Sequence, residues 1–324
     1  MASRTVQPNK ADIVDRVSYM SSTMHGKDDD YNAVKTPDIE GGALRPGGAP
    51  NLWSRECFGL LAQYCSIGLV LGTLPGTVYP FLTAYLNMEG TQTASARVLL
   101  TMPWSFKFLF GIVTDCFPIM GYRRRPYMLL GWVMCLTCLV TMASMDPGKP
   151  YWVKAEYASK YSKVANKDAL GPEITNPSAK DQGGKFIVLM MFAAFGYIQA
   201  AVASDAVVCE FAQREPEAVR GTTQTAIYTA RTIFVILSQV LSGFFFNGYD
   251  YGGDYSFTLS FPQLMLILAI GVAPVIPITW IFIPEERVPG VNFKQYMLDF
   301  WELLKTQAMY QVVAYKFFAN VSPT

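Results

Sequence analysis

Six stretches of this chain, about 58–86, 97–116, 126–145, 186–208, 222–246 and 261–283, are each long and apolar enough to cross a bilayer. A hydrocarbon core of roughly 30 Å needs about 20 apolar residues in helical form, because the backbone polar groups must be satisfied within the segment. Helices in a water-soluble core rarely run that far without charge. Six in succession predict an all-α, polytopic membrane protein. A seventh run opens near Tyr310 and is cut at Thr324.

Composition supports this and removes alternatives. Charged residues make up 16% of the 324 positions, against roughly 25% in soluble domains. Lys plus Arg number 26 and Asp plus Glu 25, which excludes a basic nucleic-acid-binding surface as the main theme. One His, His25, and six Cys leave little for a zinc site or imidazole catalysis. Cys135 and Cys138 have a CxxC spacing but sit inside an apolar run, where they read as small hydrophobes. A membrane-embedded prenyl transferase needs clustered carboxylates for metal and diphosphate. Asp28-Asp29-Asp30 is the one such cluster and lies far from any span. No enzyme activity, metal or cofactor is expected.

The chain divides by composition. Residues 1–52 are rich in Asp, Gly, Pro and Ser and read as a disordered leader, with no signal-peptide core after Met1. Residues 53–284 carry the six spans, with a long loop at 146–184. Residues 285–309 read as an interfacial linker helix with an apolar stripe through Phe293, Tyr296, Met297, Phe300, Trp301 and Leu304. Residues 310–324 start a seventh span. Lys and Arg favour cytoplasmic loops. Arg123–Arg125 between the second and third spans, Arg214 and Arg220 between the fourth and fifth, and Arg287, Lys294 and Lys305 after the sixth place both ends of the six-span unit in the cytoplasm. The 146–184 loop dissents with six Lys, but alternation across the short connections puts it outside.

Charge inside a span costs about 2.5–3.5 kcal/mol on insertion scales, so such residues face a partner or water. Pro103, Lys107, Gly111 and Asp115 recur every four residues and share a stripe. At 1.5 Å per residue, Lys107 lies about 15 Å from the outer end and Arg231 about 14 Å from the inner end. Gln224, Tyr228, Arg231, Ser238 and Ser242 share a face, as do Gln63, Ser66, Thr73 and Thr77. Asp205 is expected near the cytoplasmic boundary, followed by Glu210. Gly68, Gly72 and Gly76 form a small-residue ridge for close helix approach, and Pro75 and Pro80 should bend that span's outer half. Two mid-depth cations suit an anionic cargo, and a carboxylate nearer the cytoplasm suits proton coupling. The competing reading makes Lys107 and Arg231 partners of buried carboxylates that hold the bundle together.

The block Pro103-Trp104-Ser105-Phe106-Lys107-Phe108-Leu109-Phe110-Gly111, then Asp115 and Gly121-Tyr122-Arg123-Arg124-Arg125-Pro126-Tyr127, resembles the folate–biopterin transporter family of the major facilitator superfamily. Ser204-Asp205-Ala206-Val207-Val208-Cys209-Glu210, Arg214 and Arg231 extend the likeness over about residues 55–324. Phe108 departs from the Pro often found there. The resemblance implies an N-terminal six-helix bundle of a twelve-span carrier, plus the start of a seventh helix, apparently truncated. It implies proton-coupled transport of folate- or pterin-like anions by alternating access. No targeting motif is readable, and the plasma membrane is expected over an internal one. On this basis Lys107, Arg231, Gln63, Thr73 and Tyr228 are candidate substrate contacts. Asp205 and Glu210 are the proton-coupling or ion-pair candidates, and Gly111, Asp115, Arg123, Arg124 and Arg125 form a candidate cytoplasmic gate. Expected partners are the solute, protons, the lipid bilayer and a second transporter half. The alternative is a non-transporting half that pairs with or modulates a full-length relative.

Overall fold

A computed structural model describes residues 40–161, 163–164, 166–288 and 292–321. The chain is an all-α, multi-pass membrane protein. No strand occurs among the described residues, and six helical stretches are long and apolar enough to cross a membrane: Arg55–Tyr85, Gly90–Cys116, Arg125–Ser144, Pro177–Arg214, Glu217–Phe245 and Phe261–Phe282.

Several stretches are compound, and proline chemistry says where. α1 (Arg55–Thr77) starts at Ser54, whose hydroxyl accepts from the Cys57 amide at 3.3 Å. It then widens into π-helical turns over Val78–Tyr85. Pro80 brings no N–H, and the Leu86 amide reaches back five residues to the Phe81 carbonyl. The second span begins at Gly90, earlier than expected, and is two helices, α2 (Gly90–Ser105) and α3 (Lys107–Cys116). Pro103 removes one intrahelical donor, and the chain breaks three residues later at Phe106. The bend thus falls before Lys107, not at Phe108. α4 spans Arg125–Ser144, α5 Gly183–Arg214 and α6 Thr222–Phe245. The sixth span is also split, into α7 (Phe261–Val272) and α8 (Val275–Phe282), around Pro274. α9 (Phe293–Leu304) and α10 (Gln307–Val321) follow.

Residues 1–39, most of the expected leader, lie outside the described residues. From residue 40 on, the chain is seated against the end of α5: the Leu44 and Arg45 amides both donate to the Gln213 carbonyl at 2.9 Å, and Arg220 donates to the Gly42 carbonyl at 2.6 Å.

α1 and α5 are the most buried stretches; α2–α3 and α6 are the least. The α1 glycine ridge faces α6. A Cβ at Gly68 would lie 2.5 Å from the Arg231 carbonyl oxygen, and one at Gly72 2.7 Å from that of Val235. Gly131 and Gly196 bring α4 and α5 together in the same way, each Cβ position 2.5 Å from the other's carbonyl oxygen. In a membrane, association depends on such close packing. Trp132, fully buried, donates through Nε1 to Gln63 at 2.5 Å, and Gln63 in turn donates to Thr279, tying α1, α4 and α8.

Candidate functional site

Three helices deliver side chains to one carboxylate on a fourth. Asp205 projects from α5. Lys107, the first residue of α3, places Nζ 2.5 Å from Asp205 Oδ2. The hydroxyl of Tyr64, on α1, donates to Asp205 Oδ1, and that of Tyr228, on α6, reaches the same oxygen at 3.5 Å. The Tyr64 and Tyr228 rings pack 5.6 Å apart. Arg231, one turn along α6 from Tyr228, lies over its ring with Cζ 4.7 Å from the centroid. Trp104 lies beside Lys107, whose Nζ is 5.4 Å from its ring centre. The Lys107 and Asp205 side chains are 37% and 23% exposed, so the pair is open on one side.

This geometry revises the sequence picture. Lys107 is neutralised by Asp205, leaving Arg231 as the cation of the cluster with no carboxylate partner among the described residues. Formal charge is one positive unit: two cations against one anion. α5 continues nine residues past Asp205 to Arg214, about 14 Å at helical rise.

The other sequence candidates separate. Tyr228 belongs to the cluster. Gln63 does not: its amide is used in the Trp132–Thr279 bridge. Thr73 is buried in α1, on the stretch that packs against α6. Glu210 lies 4.0 Å from Arg45, both about two-fifths exposed, an arrangement worth about 0–1 kcal/mol. Among the described residues no group of His, Cys, Asp or Glu is placed to hold a metal ion.

At one end of the bundle the turn between α3 and α4 is tightly built. Met120 and Gly121 take positive φ of 55° and 84°. The three-arginine run does not act as a block of side chains. Arg124 alone pairs through its guanidinium with Asp115, at 2.7 Å. Arg123, Arg124 and Arg125 instead present backbone amides to Glu285, donating at 2.6 and 2.7 Å to Oε1 and 2.8 Å to Oε2. A carboxylate thus closes the N-terminus of α4, where free amides and the helix dipole favour an anion. Arg287 and Arg125 both lie over the Tyr122 ring, with Cζ 5.7 and 5.6 Å from its centre. α9 joins from the linker: the Tyr296 hydroxyl donates to Asp115 at 3.1 Å, and Phe293 and Phe300 pack on Phe117 and Phe108. Burial, and then the Asp115 charge, push the Tyr296 phenol up to about 12, so it stays a donor over the physiological range. Gly111 shows no steric demand for glycine; a Cβ there would meet Val202 at 4.0 Å.

Sequence reasoning missed Tyr64, Glu285 and Tyr296. A Pro284-Glu285-Glu286-Arg287 run directly after the sixth span, opposite an arginine turn, was the available signal for Glu285. Nothing in the pattern distinguished Tyr64 from ordinary core.

Comparison with known proteins places these features. Residues 68–158 match the model of the BT1 family. Over 56 residues, 17% of this chain and 11% of the relative, it is 40% identical to Folate transporter 1 of Plasmodium falciparum. Over 278 residues, 86% of this chain and 47% of the relative, it is 24% identical to the Folate-biopterin transporter of Synechocystis. Probable folate-biopterin transporter 2 of Arabidopsis thaliana is 31% identical over 85 residues, 26% of this chain and 17% of that protein. The chain thus spans about half the length of the relative that it matches most broadly. No solved structure matches it.

Proposed function

We propose that the chain, whose residues 68–158 match the BT1 family model, is the N-terminal half of a proton-coupled carrier for folate- or pterin-like anions. The names of the relatives support the solute class. The observation that carries the reading is the Asp205 carboxylate, shared between Lys107, Tyr64 and Tyr228 beside an Arg231 that pairs with no acid among the described residues.

The chemistry is exchange of partners. Unit charges 4 Å apart at an effective dielectric constant near 20 attract by about 4 kcal/mol, less where water reaches them. A solute anion must overcome that attraction to take Lys107 from Asp205. A proton delivered to Asp205 discharges the carboxylate and leaves Lys107 and Arg231 as two cations, which then hold the anion. Tyr64 and Tyr228 keep the acid in place through the change. Loss of the proton restores the rival anion and ejects the solute. No bond in the solute is made or broken.

In this reading the end with Arg123–Arg125, Glu285 and Asp115 faces the cytoplasm and acts as the gate. The 146–184 loop lies outside, in accord with the Lys and Arg distribution of the short loops. The leader (1–52), six-span unit (53–284), linker (285–309) and start of a seventh span (310–324) form one half, and a second six-span half supplies the facing wall. The plasma membrane is the proposed site.

The test is uptake of labelled folate and pterin by cells that lack their own uptake. Lys107→Ala, Arg231→Ala and Asp205→Asn should each reduce accumulation at least tenfold at unchanged surface expression. Unchanged uptake in Lys107→Ala and Arg231→Ala would remove the site assignment.

A further inference from the structure

A cavity of about 190 Å³ opens at the end of the bundle opposite the arginine turn. Three separate segments build it: the π-helical end of α1 gives Thr83 and Asn87, the 146–184 loop gives Trp152 and Lys167, and the turn between α6 and α7 gives Tyr249 and Asp250. It is smaller than the roughly 300–1,000 Å³ that encloses a whole drug-sized ligand, so it admits one ring system and leaves any tail outside. Its walls are fixed. The Asp168 carboxylate, next to Lys167, accepts from Tyr151 at 2.6 Å and from Lys180 at 2.8 Å, and Trp152 is paired to Thr175 through the backbone. Asn87 holds a left-handed φ of 51°, a strained backbone of the kind held at ligand clamps.

The charges are the informative part. Lys167 and Asp250 both line the cavity, and neither forms an ion pair among the described residues. Lys167 holds Nζ 5.8 Å from the Trp152 ring centre and Asp250 stands on a different segment; an ammonium and a carboxylate left apart across the cavity fit a flat ligand carrying both donors and an acid.

We propose that this cavity is a second binding site, a loading site for the solute on the face opposite the gate. A flat heterocycle with an amidine-like edge sits against the exposed Tyr249, donates to the Asp250 carboxylate and turns its own carboxylate toward Lys167, which lies over Trp152. Paired donors facing a carboxylate recognise such an edge with orientation as well as affinity. The choice of solute rests on the transport reading above; the cavity and its charges do not.

The experiment is equilibrium binding of pterin-6-carboxylate to the full chain in lipid nanodiscs, followed by the ligand's own fluorescence. Lys107→Gln combined with Arg231→Gln, which removes both cations of the central site, should leave one saturable binding event. In that background Asp250→Asn and Lys167→Gln should each weaken it about tenfold, the loss expected for one charge-assisted contact. If the Lys107→Gln and Arg231→Gln double change abolishes binding while Asp250→Asn and Lys167→Gln, each made in the unmodified chain, bind as that chain does, the loading site is wrong and the central site stands. If the unmodified chain binds no pterin, the loading site is likewise overturned, and cellular uptake decides the transport reading separately.

Discussion

Glu285 offers a quantitative test of how the gate end is held. Its Oε1 accepts from the Arg123 and Arg124 amides and its Oε2 from that of Arg125. Hydrogen bonds to charged groups are worth about 1.5–3 kcal/mol each, but three on one carboxylate do not add. Glu285→Gln can keep the Oε1 contacts and turns an NH2 against the Arg125 amide. It therefore loses one bond and the anion at the helix N-terminus, about 2 kcal/mol together. Glu285→Ala strands all three amides at the start of α4, part-buried, for about 3–4 kcal/mol. Glu286, its exposed neighbour, is the control: Glu286→Gln should stay within about 0.5 kcal/mol of the unmodified chain. Reversible unfolding in mixed micelles, titrated with SDS, gives the three differences. Equal values for the Gln and Ala variants, or both within 0.5 kcal/mol of the unmodified chain, would refute the capping account.

Three further outcomes follow from the packing and the loops. Gly72→Ala should destabilise the bundle by about 1–3 kcal/mol, because its Cβ would lie 2.7 Å from the Val235 carbonyl oxygen. Gly76→Ala should be nearly silent in the same unfolding assay, because its nearest neighbour is Ser242 at 3.8 Å; a reversed order would sink the ridge assignment. The Asp168 carboxyl is held below its ordinary 3.8 by the hydrogen bond from Lys180 and then that from Tyr151. A depressed acid stabilises above its unfolded value and loses that contribution as pH falls, so the 146–184 loop should loosen from 3.8 downward. Trp152 emission reports this, and Asp168→Asn should show the loosened spectrum already at neutral pH. Tyr296→Phe removes the Asp115 contact and should speed amide hydrogen exchange in α9 several-fold; unchanged exchange would mean that Phe293 and Phe300 alone hold it.

The fold class was legible because bilayer insertion imposes a length and a polarity on each helix, and six runs meet both. Breaks inside the runs were half-legible. Pro103 and Pro274 announce missing donors, but where the chain yields, at Phe106 or after Val272, depends on neighbours. The apolar run ends near residue 208 while the helix continues to Arg214, so hydropathy did not give the end of α5. The site was legible in type and not in pairing. Spacing places Lys107 and Arg231 on faces of their own helices, yet rotation between helices decides whether Lys107 meets a carboxylate. Glu285 lies 160 to 162 positions from the amides it caps, a distance no local pattern encodes.

The central claim is that Asp205 gives up Lys107 to the solute when it takes a proton. Proton uptake on binding of pterin-6-carboxylate, followed with a pH indicator in weakly buffered nanodiscs, tests it directly by linkage. About one proton per bound solute in the unmodified chain, and none in Asp205→Asn, is the predicted result. Binding without proton uptake, or uptake that survives in Asp205→Asn, would contradict it.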